Sequence, residues 1–289
     1  MDKKYFELSD DFDTIISNAF KGKEIKDKHM ISTGWTNIVY EVETTDGTYF
    51  CRFPRDYFWT KTIVKDYEFA KFIYGKTKYH TIKLDLLFDE GRPFSCHKKI
   101  EGTPLAEKMG SMSKEAIKKV AFQISDFMND LHKIKFTAKD KNEIFADETT
   151  SRIGVFLPDF LTELLEVHVA DEDMKFWNKE LYKDAKDELE TCLVHGDLNS
   201  SNVLLDDDNN ITAIIDFGFG GYGNKYDDIA RIIGRCPEEF KMPIVEAYEK
   251  QSNTKLEGDF LNKNISSWTN IDNAYINYMT RIGIYKKEV

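Results

Sequence analysis

The feature that most constrains this chain is a polar loop set between two apolar runs in its second half. The loop contains Asp197 and Asn202, and the apolar residues 203–205 follow it directly. A second apolar run, residues 211–215, ends at Asp216 in the tripeptide Asp-Phe-Gly. Two short apolar runs joined by a polar turn predict a β-hairpin. The sequence therefore predicts that the two aspartates and the asparagine are grouped around one hairpin.

The spacing within this loop, His-x-Asp-x-x-x-x-Asn from residue 195 to 202, is that of the catalytic loop of kinase-like folds. In such a site Asp197 orients a hydroxyl nucleophile and accepts its proton, while Asn202 and Asp216 bind magnesium on the nucleotide phosphates. His195 is expected to hold the loop in shape and not to act as an acid or base. The alternative is an ordinary polar hairpin whose Asp and Asn residues only form turns. The presence of both halves together favours phosphoryl transfer.

Several further motifs accompany the loop, and with them the chain resembles the aminoglycoside phosphotransferase family of kinase-like enzymes over most of its length. The loop itself is most similar to the 2″-phosphotransferase branch. The other motifs are Leu131-His132 at the end of a predicted helix, Asp228-Ile229-Ala230, and the segment 98–105 with its Gly and Pro-Leu. The resemblance implies an α+β, bilobal protein-kinase-like fold. A small antiparallel β-sheet lobe with the hinge (residues 1–101) would bind the nucleotide, and a larger helical lobe (residues 102–289) would hold the catalytic loop and the acceptor site.

The periodicity along the chain agrees with that division. Asp46-Gly47 is a strong hairpin signal between two strand-like segments. Ser113 is a suitable N-cap for a long amphipathic helix. Strands are predicted over 28–33, 37–42, 48–53, 83–88 and 93–100, and helices over 9–20, 60–74, from 113, from about Pro158, over 173–190 and within 227–289.

The first lobe is expected to supply a phosphate-binding turn, a cation and a carboxylate that pairs with the cation. Ser32, Gly34 and Thr36 lie between the first two predicted strands, where backbone N–H groups could face phosphates. A plain β-turn is the alternative interpretation. Where the family has lysine on the third strand, this chain has Arg52, which keeps the charge but differs in shape and reach. Glu68, on the following helix, is its predicted partner.

Two alternatives to this role of Arg52 stay open: Lys61 or Lys65 takes its place, or the substitution weakens the enzyme. The hinge, with Lys98 and Ile100, would contact the purine mainly through backbone atoms. The nucleotide is therefore expected to be ATP or GTP, with Mg²⁺, and the sequence does not choose between the two.

The acceptor is expected to be a small molecule. The loop has Gly196 and Asn199 where protein kinases have Arg and Lys, and no Ala-Pro-Glu segment follows Asp-Phe-Gly. Carboxylates and aromatic rings bind ammonium groups through charge-assisted hydrogen bonds and cation–π contacts. An ordinary surface role is the alternative for each candidate. The resemblance places the acceptor site in the helical lobe, with the candidates Glu238, Glu239, Asp259, Trp268 and Asp272.

Composition and charge limit the classes of molecule that this protein is expected to bind. The formal net charge of −11 argues against a nucleic-acid partner; it suits a small cationic, hydroxyl-bearing substrate, or it only keeps the protein soluble. The sequence contains no apolar run long enough to span a bilayer and no signal-peptide pattern, so a cytoplasmic protein without a membrane partner is expected. A monomer is also expected, although no sequence feature determines the oligomeric state. The four cysteines are scattered and are expected to be reduced thiols. Alternatives to an aminoglycoside kinase are a kinase of choline, a sugar or another metabolite, and a nucleotide-binding pseudoenzyme.

Overall fold

The computed structural model describes residues 5–33, 36–135 and 191–281. Gly34, the helix predicted from about Pro158 and the helix predicted over 173–190 lie outside these ranges.

A five-stranded antiparallel sheet forms the first part of the described chain, with the strand order β1-β2-β3-β5-β4. Its inner face packs against helix α1 through aromatic residues that include Phe12, Phe53 and Phe94. The predicted hairpin turn joins β2 to β3: Thr44 pairs with Gly47, which has a φ of 134°, and Thr45 and Asp46 connect the two strands. The elements are α1 (Phe12–Ala19), β1 (Ile25–Thr33), β2 (Asn37–Thr44), β3 (Gly47–Pro54), β4 (Asp85–Asp89) and β5 (Arg92–Lys98).

Two cysteines are bonded across this sheet, which corrects the expectation of four reduced thiols. Cys51 in β3 and Cys96 in β5 are direct partners in the antiparallel register, with 4.3 Å between their Cα atoms, and they form a disulfide. Cys192 and Cys236 are not part of this disulfide. Because the two bonded residues are 45 positions apart, only the strand pairing brings them together.

Helix α2 (Tyr57–Ile73) follows β3 and belongs to the larger hydrophobic core as well as to the first lobe. Its residues Phe69, Ala70 and Ile73 are fully buried in the same cluster as Phe217, which follows the second apolar run. The rings of Phe69 and Phe217 stack with their centroids 5.7 Å apart. The helix is therefore fixed against the part of the chain that carries Asp216.

The second part of the described chain is mainly helical and is interrupted by short strands. Ser113 accepts a hydrogen bond from the N–H group of Ala116 and caps the long helix α4, as predicted. Strands β6, β8 and β9 form one small sheet, and β7 pairs with β10. The elements are β6 (Thr103–Pro104), α3 (Leu105–Lys108), α4 (Lys114–His132), β7 (Thr191–Val194), β8 (Val203–Leu205), β9 (Ile211–Ile214), β10 (Gly221–Asn224), α5 (Lys225–Gly234), α6 (Lys241–Ser252) and α7 (Gly258–Arg281).

The predicted fold class, an α+β chain with a small antiparallel sheet followed by a larger helical part, is confirmed. Among the residues that the structure describes, no helix combines the length and hydropathy needed to cross a membrane.

Candidate active site

The predicted hairpin brings the two halves of the motif together. Strands β8 and β9 pair, and the N–H group of Ile215 donates to the carbonyl of Asn202 at 3.0 Å. The side-chain nitrogen of Asn202 donates to the carbonyl of Asp197 at 2.9 Å, which leaves the amide oxygen as the atom able to bind a metal. Asp216 follows at the end of the hairpin with a left-handed backbone, at φ 69°. The motif is therefore a single folded unit.

Asp228, at the start of α5, anchors the backbone of the catalytic loop. Its carboxylate oxygens accept from the N–H groups of His195 and Gly196, at 2.9 and 3.0 Å. The carboxylate is fully buried and also lies 3.1 Å from Nε2 of His132, whose Nδ1 meets the hydroxyl of Tyr248 at 2.8 Å. Three helices of the second lobe thus fix the position from which the loop leaves β7.

His195 is built into the loop as a structural residue. The ring is fully buried and lies 4.5 Å, centroid to centroid, from Phe217. Nδ1 accepts from the N–H group of Asp197 at 3.3 Å, which requires the proton to be on Nε2, where it is donated to the carbonyl of Ile215 at 3.0 Å. Both ring nitrogens are therefore used in holding the two halves of the hairpin, in agreement with the expected role.

Arg52 extends from β3 toward Asp216, and its partner is Asp66. One guanidinium nitrogen lies 2.8 Å from Oδ2 of Asp66, and another lies 3.7 Å from Oδ1 of Asp216. Oδ1 of Asp66 accepts from the N–H group of Phe217 at 2.8 Å. The predicted pairing with Glu68 is thus wrong: residues two apart on a helix point about 200° away from each other, and it is Asp66 that faces the strand.

The charges of this cluster depend on its burial. Burial lowers the pKa of Arg52, but the nearby Asp66 and Asp216 outweigh this effect and raise the pKa above its ordinary value. Burial raises the pKa of Asp66, and Arg52 and the N–H group of Phe217 oppose that rise. One guanidinium and two carboxylates, when all are ionised, sum to one negative charge. A bound cation would balance it.

The donor set fits a magnesium ion. Magnesium prefers carboxylate, amide and phosphate oxygens. Asp216 offers a carboxylate that is 43% exposed, and the side chain of Asn202 is oriented by its nitrogen. These two residues would hold the ion.

The other predicted nucleotide-binding residues lie along one edge of the first lobe. Ser32 lies near the end of β1, and Thr36 lies just before β2, so the predicted phosphate-binding turn falls at the β1–β2 connection. The carbonyl of Thr36 accepts from the N–H group of Arg55 at 3.1 Å. Lys98 ends β5, and Ile100 follows it as a half-buried residue against the larger core.

His97 precedes this hinge segment and is buried next to it. Nδ1 lies 3.0 Å from the carbonyl oxygen of Lys98. Burial lowers the pKa of His97 to about 4, although the bond to Lys98 acts in the opposite direction. The imidazole is therefore neutral near pH 7 and donates to the hinge carbonyl.

Of the five predicted acceptor residues, the structure brings two toward Asp197, the predicted catalytic carboxylate. Asp272 and Trp268 lie on α7 and are linked to Asp197 through Arg231 on α5. The remaining three, Glu238, Glu239 and Asp259, have exposed side chains.

The sequence interpretation did not include Arg231. It lies three residues after Asp228 on the same helix, so its position beside the catalytic loop follows from helical spacing once Asp228 is placed. Arg231 is thus an unforeseen residue in direct contact with the predicted catalytic carboxylate.

This fold and this site together define a bilobal phosphoryl-transfer enzyme of the kinase-like class. The model of the phosphotransferase enzyme family matches residues 30–260. The chain belongs to that family, and the predicted family is confirmed.

Solved structures share the fold at low sequence identity. The GDP and kanamycin complex of APH(2″)-IIIa is 20% identical, with a TM-score of 0.70, over 94% of this chain and 92% of that chain. The streptomycin–ATP ternary complex of APH(2″)-IIa is 17% identical, with a TM-score of 0.63, over 94% and 92%. The macrolide 2′-phosphotransferase MphH from Brachybacterium faecium, an apoenzyme, is 14% identical, with a TM-score of 0.64, over 94% and 93%.

Proposed function

We propose that this phosphotransferase moves the γ-phosphoryl group of ATP or GTP to a hydroxyl group of a small acceptor of the aminoglycoside type. The observation that carries the proposal is the assembly of Asp197, Asn202 and Asp216 around one hairpin, with Arg52 beside Asp216. The similar structures include complexes with GDP and kanamycin and with ATP and streptomycin, which supports the choice of donor and acceptor.

Each residue has a role that follows from its position. Asp197 orients the acceptor hydroxyl and takes its proton as the new bond forms. Arg52 faces the nucleotide phosphates, and Asp66 keeps the guanidinium in place. Asn202 and Asp216 would hold magnesium, which neutralises charge on the phosphates when it is bound. The protein thus acts mainly by positioning the two reactants and by stabilising charge.

In this proposal the two parts of the chain bind different reactants. Residues 1–101 would bind the nucleotide, with its base at the hinge near Lys98 and Ile100 and its phosphates below the turn containing Ser32, Gly34 and Thr36. Residues 102–289 would bind the acceptor beside Asp197.

The experiment is a measurement of magnesium-dependent ADP or GDP release with a panel of aminoglycosides, choline and neutral sugars. We expect turnover with at least one acceptor and none in the variant Asp197→Ala. The matched control is Asp207→Ala, which removes an exposed carboxylate from the β8–β9 turn of the same hairpin and should leave the rate unchanged. Nucleotide binding without turnover on any acceptor would instead favour the pseudoenzyme.

A kinase of a neutral sugar is the second candidate. The observation that favours it is the pairing of Asp272 with both Arg231 and Arg235, because a carboxylate already paired in this way is a poorer ligand for a substrate ammonium group. The same panel distinguishes the two candidates by which acceptor gives turnover.

A further inference from the structure

Arg231 forms an ion pair with Asp197, whose carboxylate the proposed reaction needs. Its Nε and Nη2 atoms both lie 2.7 Å from Oδ1 of Asp197, and its Nη1 atom lies 2.6 Å from Oδ1 of Asp272. The guanidinium thus bridges the catalytic carboxylate on the loop and a second carboxylate on α7. Only 11% of the Arg231 side chain is exposed, so this is not a solvated surface pair.

The surroundings of the guanidinium have the composition of an ammonium-binding pocket. Two carboxylates flank it, and the ring of Trp268 lies 4.6 Å away, within the range of a cation–π contact. Arg235 closes the far side with a contact of 2.7 Å to Oδ2 of Asp272. Two acids and two arginines leave this cluster with no net charge.

The internal cation is strongly held. Burial lowers the pKa of Arg231, but Asp197 and Asp272 outweigh that effect and raise it above the ordinary value. A substrate ammonium could pair with these carboxylates only by displacing a buried guanidinium that makes several charge-assisted hydrogen bonds. Such displacement would leave a buried charge without partners, which is strongly unfavourable.

We propose that Arg231 determines acceptor specificity by filling the cation subsite formed by Asp197, Asp272 and Trp268, so that the acceptor presents to Asp197 a hydroxyl flanked by uncharged groups. This inference rests on the proposed phosphoryl transfer. It narrows the acceptor class, because ammonium groups are admitted only where they lie away from the reacting hydroxyl.

The test compares the binding of kanamycin with that of its fully N-acetylated, uncharged derivative, by calorimetry in the presence of GDP or ADP. The ratio of the two dissociation constants in the wild-type protein is the reference for the variants. In Arg231→Ala, the ratio should shift in favour of kanamycin by about tenfold or more, as expected for a charge-assisted contact with a vacated carboxylate. Arg231→Gln, which keeps much of the side-chain volume, is measured in parallel and should shift in the same direction.

Lys250→Ala is the control. It also removes one positive charge, but from an exposed side chain near the end of α6. The ratio should stay near the wild-type value. A second probe, ethylguanidinium, reproduces the missing end of the side chain and should raise the Tm of Arg231→Ala but not that of the wild type.

The outcomes separate this inference from the proposed function. An unchanged ratio in both Arg231 variants, or no effect of ethylguanidinium on the Tm of Arg231→Ala, would overturn the role of Arg231. A purely structural role would weaken the binding of both compounds equally. Because the measurements are of binding, they hold even if no acceptor is turned over, which is the result that would count against the proposed function.

Discussion

In the ion pair formed by Arg52 and Asp66, the greater length of one side chain offsets the shorter length of the other. An arginine is one bond longer than a lysine, and an aspartate is one bond shorter than a glutamate, so an Arg–Asp pair has the same summed reach as the Lys–Glu pair of protein kinases. We therefore predict that Arg52→Lys and Asp66→Glu each destabilise the protein alone. The double variant should recover most of the loss.

The magnitude follows from burial. Asp66 is fully buried, and only 14% of the Arg52 side chain is exposed. Removing one partner from a buried ion pair costs about 3–5 kcal/mol. Arg52→Lys keeps the charge but falls short of the carboxylate by roughly 1 Å, so we expect a smaller loss of about 1–3 kcal/mol. Asp66→Glu adds a methylene group to a packed interior, at a similar cost of about 1–3 kcal/mol.

The assay is urea unfolding of the wild type, both single variants and the double variant, with the Kd of ADP or GDP measured on the same four proteins. We expect a coupling energy of about 1–3 kcal/mol between the two sites. Glu68→Asp is the control, because it makes the reverse change on the residue that does not pair with Arg52, and it should not couple to Arg52→Lys. A stable Arg52→Lys protein with unchanged nucleotide affinity, or a double variant no better than the sum of the singles, would refute the reasoning.

Three further predictions concern His97, Gly196 and Asp228. The pKa of His97 falls from 6.5 in the unfolded chain to about 4 in the folded protein, so its contribution to stability is present above pH 6.5 and is lost as the pH falls toward 4, by about 3 kcal/mol in total. In His97→Gln the free energy of unfolding in urea should therefore depend less on pH between 6.5 and 4. The same pH dependence in the variant and the wild type would contradict the assignment. Gly196→Ala should destabilise the protein by about 2–4 kcal/mol, because φ is 78° and a Cβ would overlap the carbonyl of Phe219, whereas Gly110→Ala, in open space, should be neutral. Asp228→Asn replaces an acceptor of two N–H groups with a group that accepts through one oxygen, so kcat should fall while the Kd of the nucleotide is kept; a lower affinity with unchanged kcat would argue against its loop-anchoring role.

Local patterns were sufficient to predict the β8–β9 hairpin and most of the sheet. The apolar runs 203–205 and 211–215 and the turn at Asp46-Gly47 each encode their structure within a few residues, and each forms as predicted. Ser113 is a similar case, since an N-cap acts on the next turn of its own helix.

The errors and omissions have a common physical origin in distance along the chain. To predict which of Asp66 and Glu68 pairs with Arg52, one must know which face of α2 is turned toward β3. No local sequence signal gives that orientation. Arg231 is 34 residues from Asp197 and 41 from Asp272, so only the packing of α5 against α7 and the loop brings these charges together. The disulfide of Cys51 and Cys96 likewise depends on the pairing of β3 with β5.

Helix α2 makes contacts that bear on how the activity of the enzyme is controlled. In protein kinases, activity is governed by whether the corresponding helix brings its acidic residue to the lysine. Here Asp66 is bonded both to Arg52 and to the N–H group of Phe217, and the stacking of Phe69 on Phe217 joins the same helix to the same loop. Swinging α2 outward would break all three contacts at once. These contacts therefore couple the position of α2 to Arg52 and to the backbone that follows Asp216.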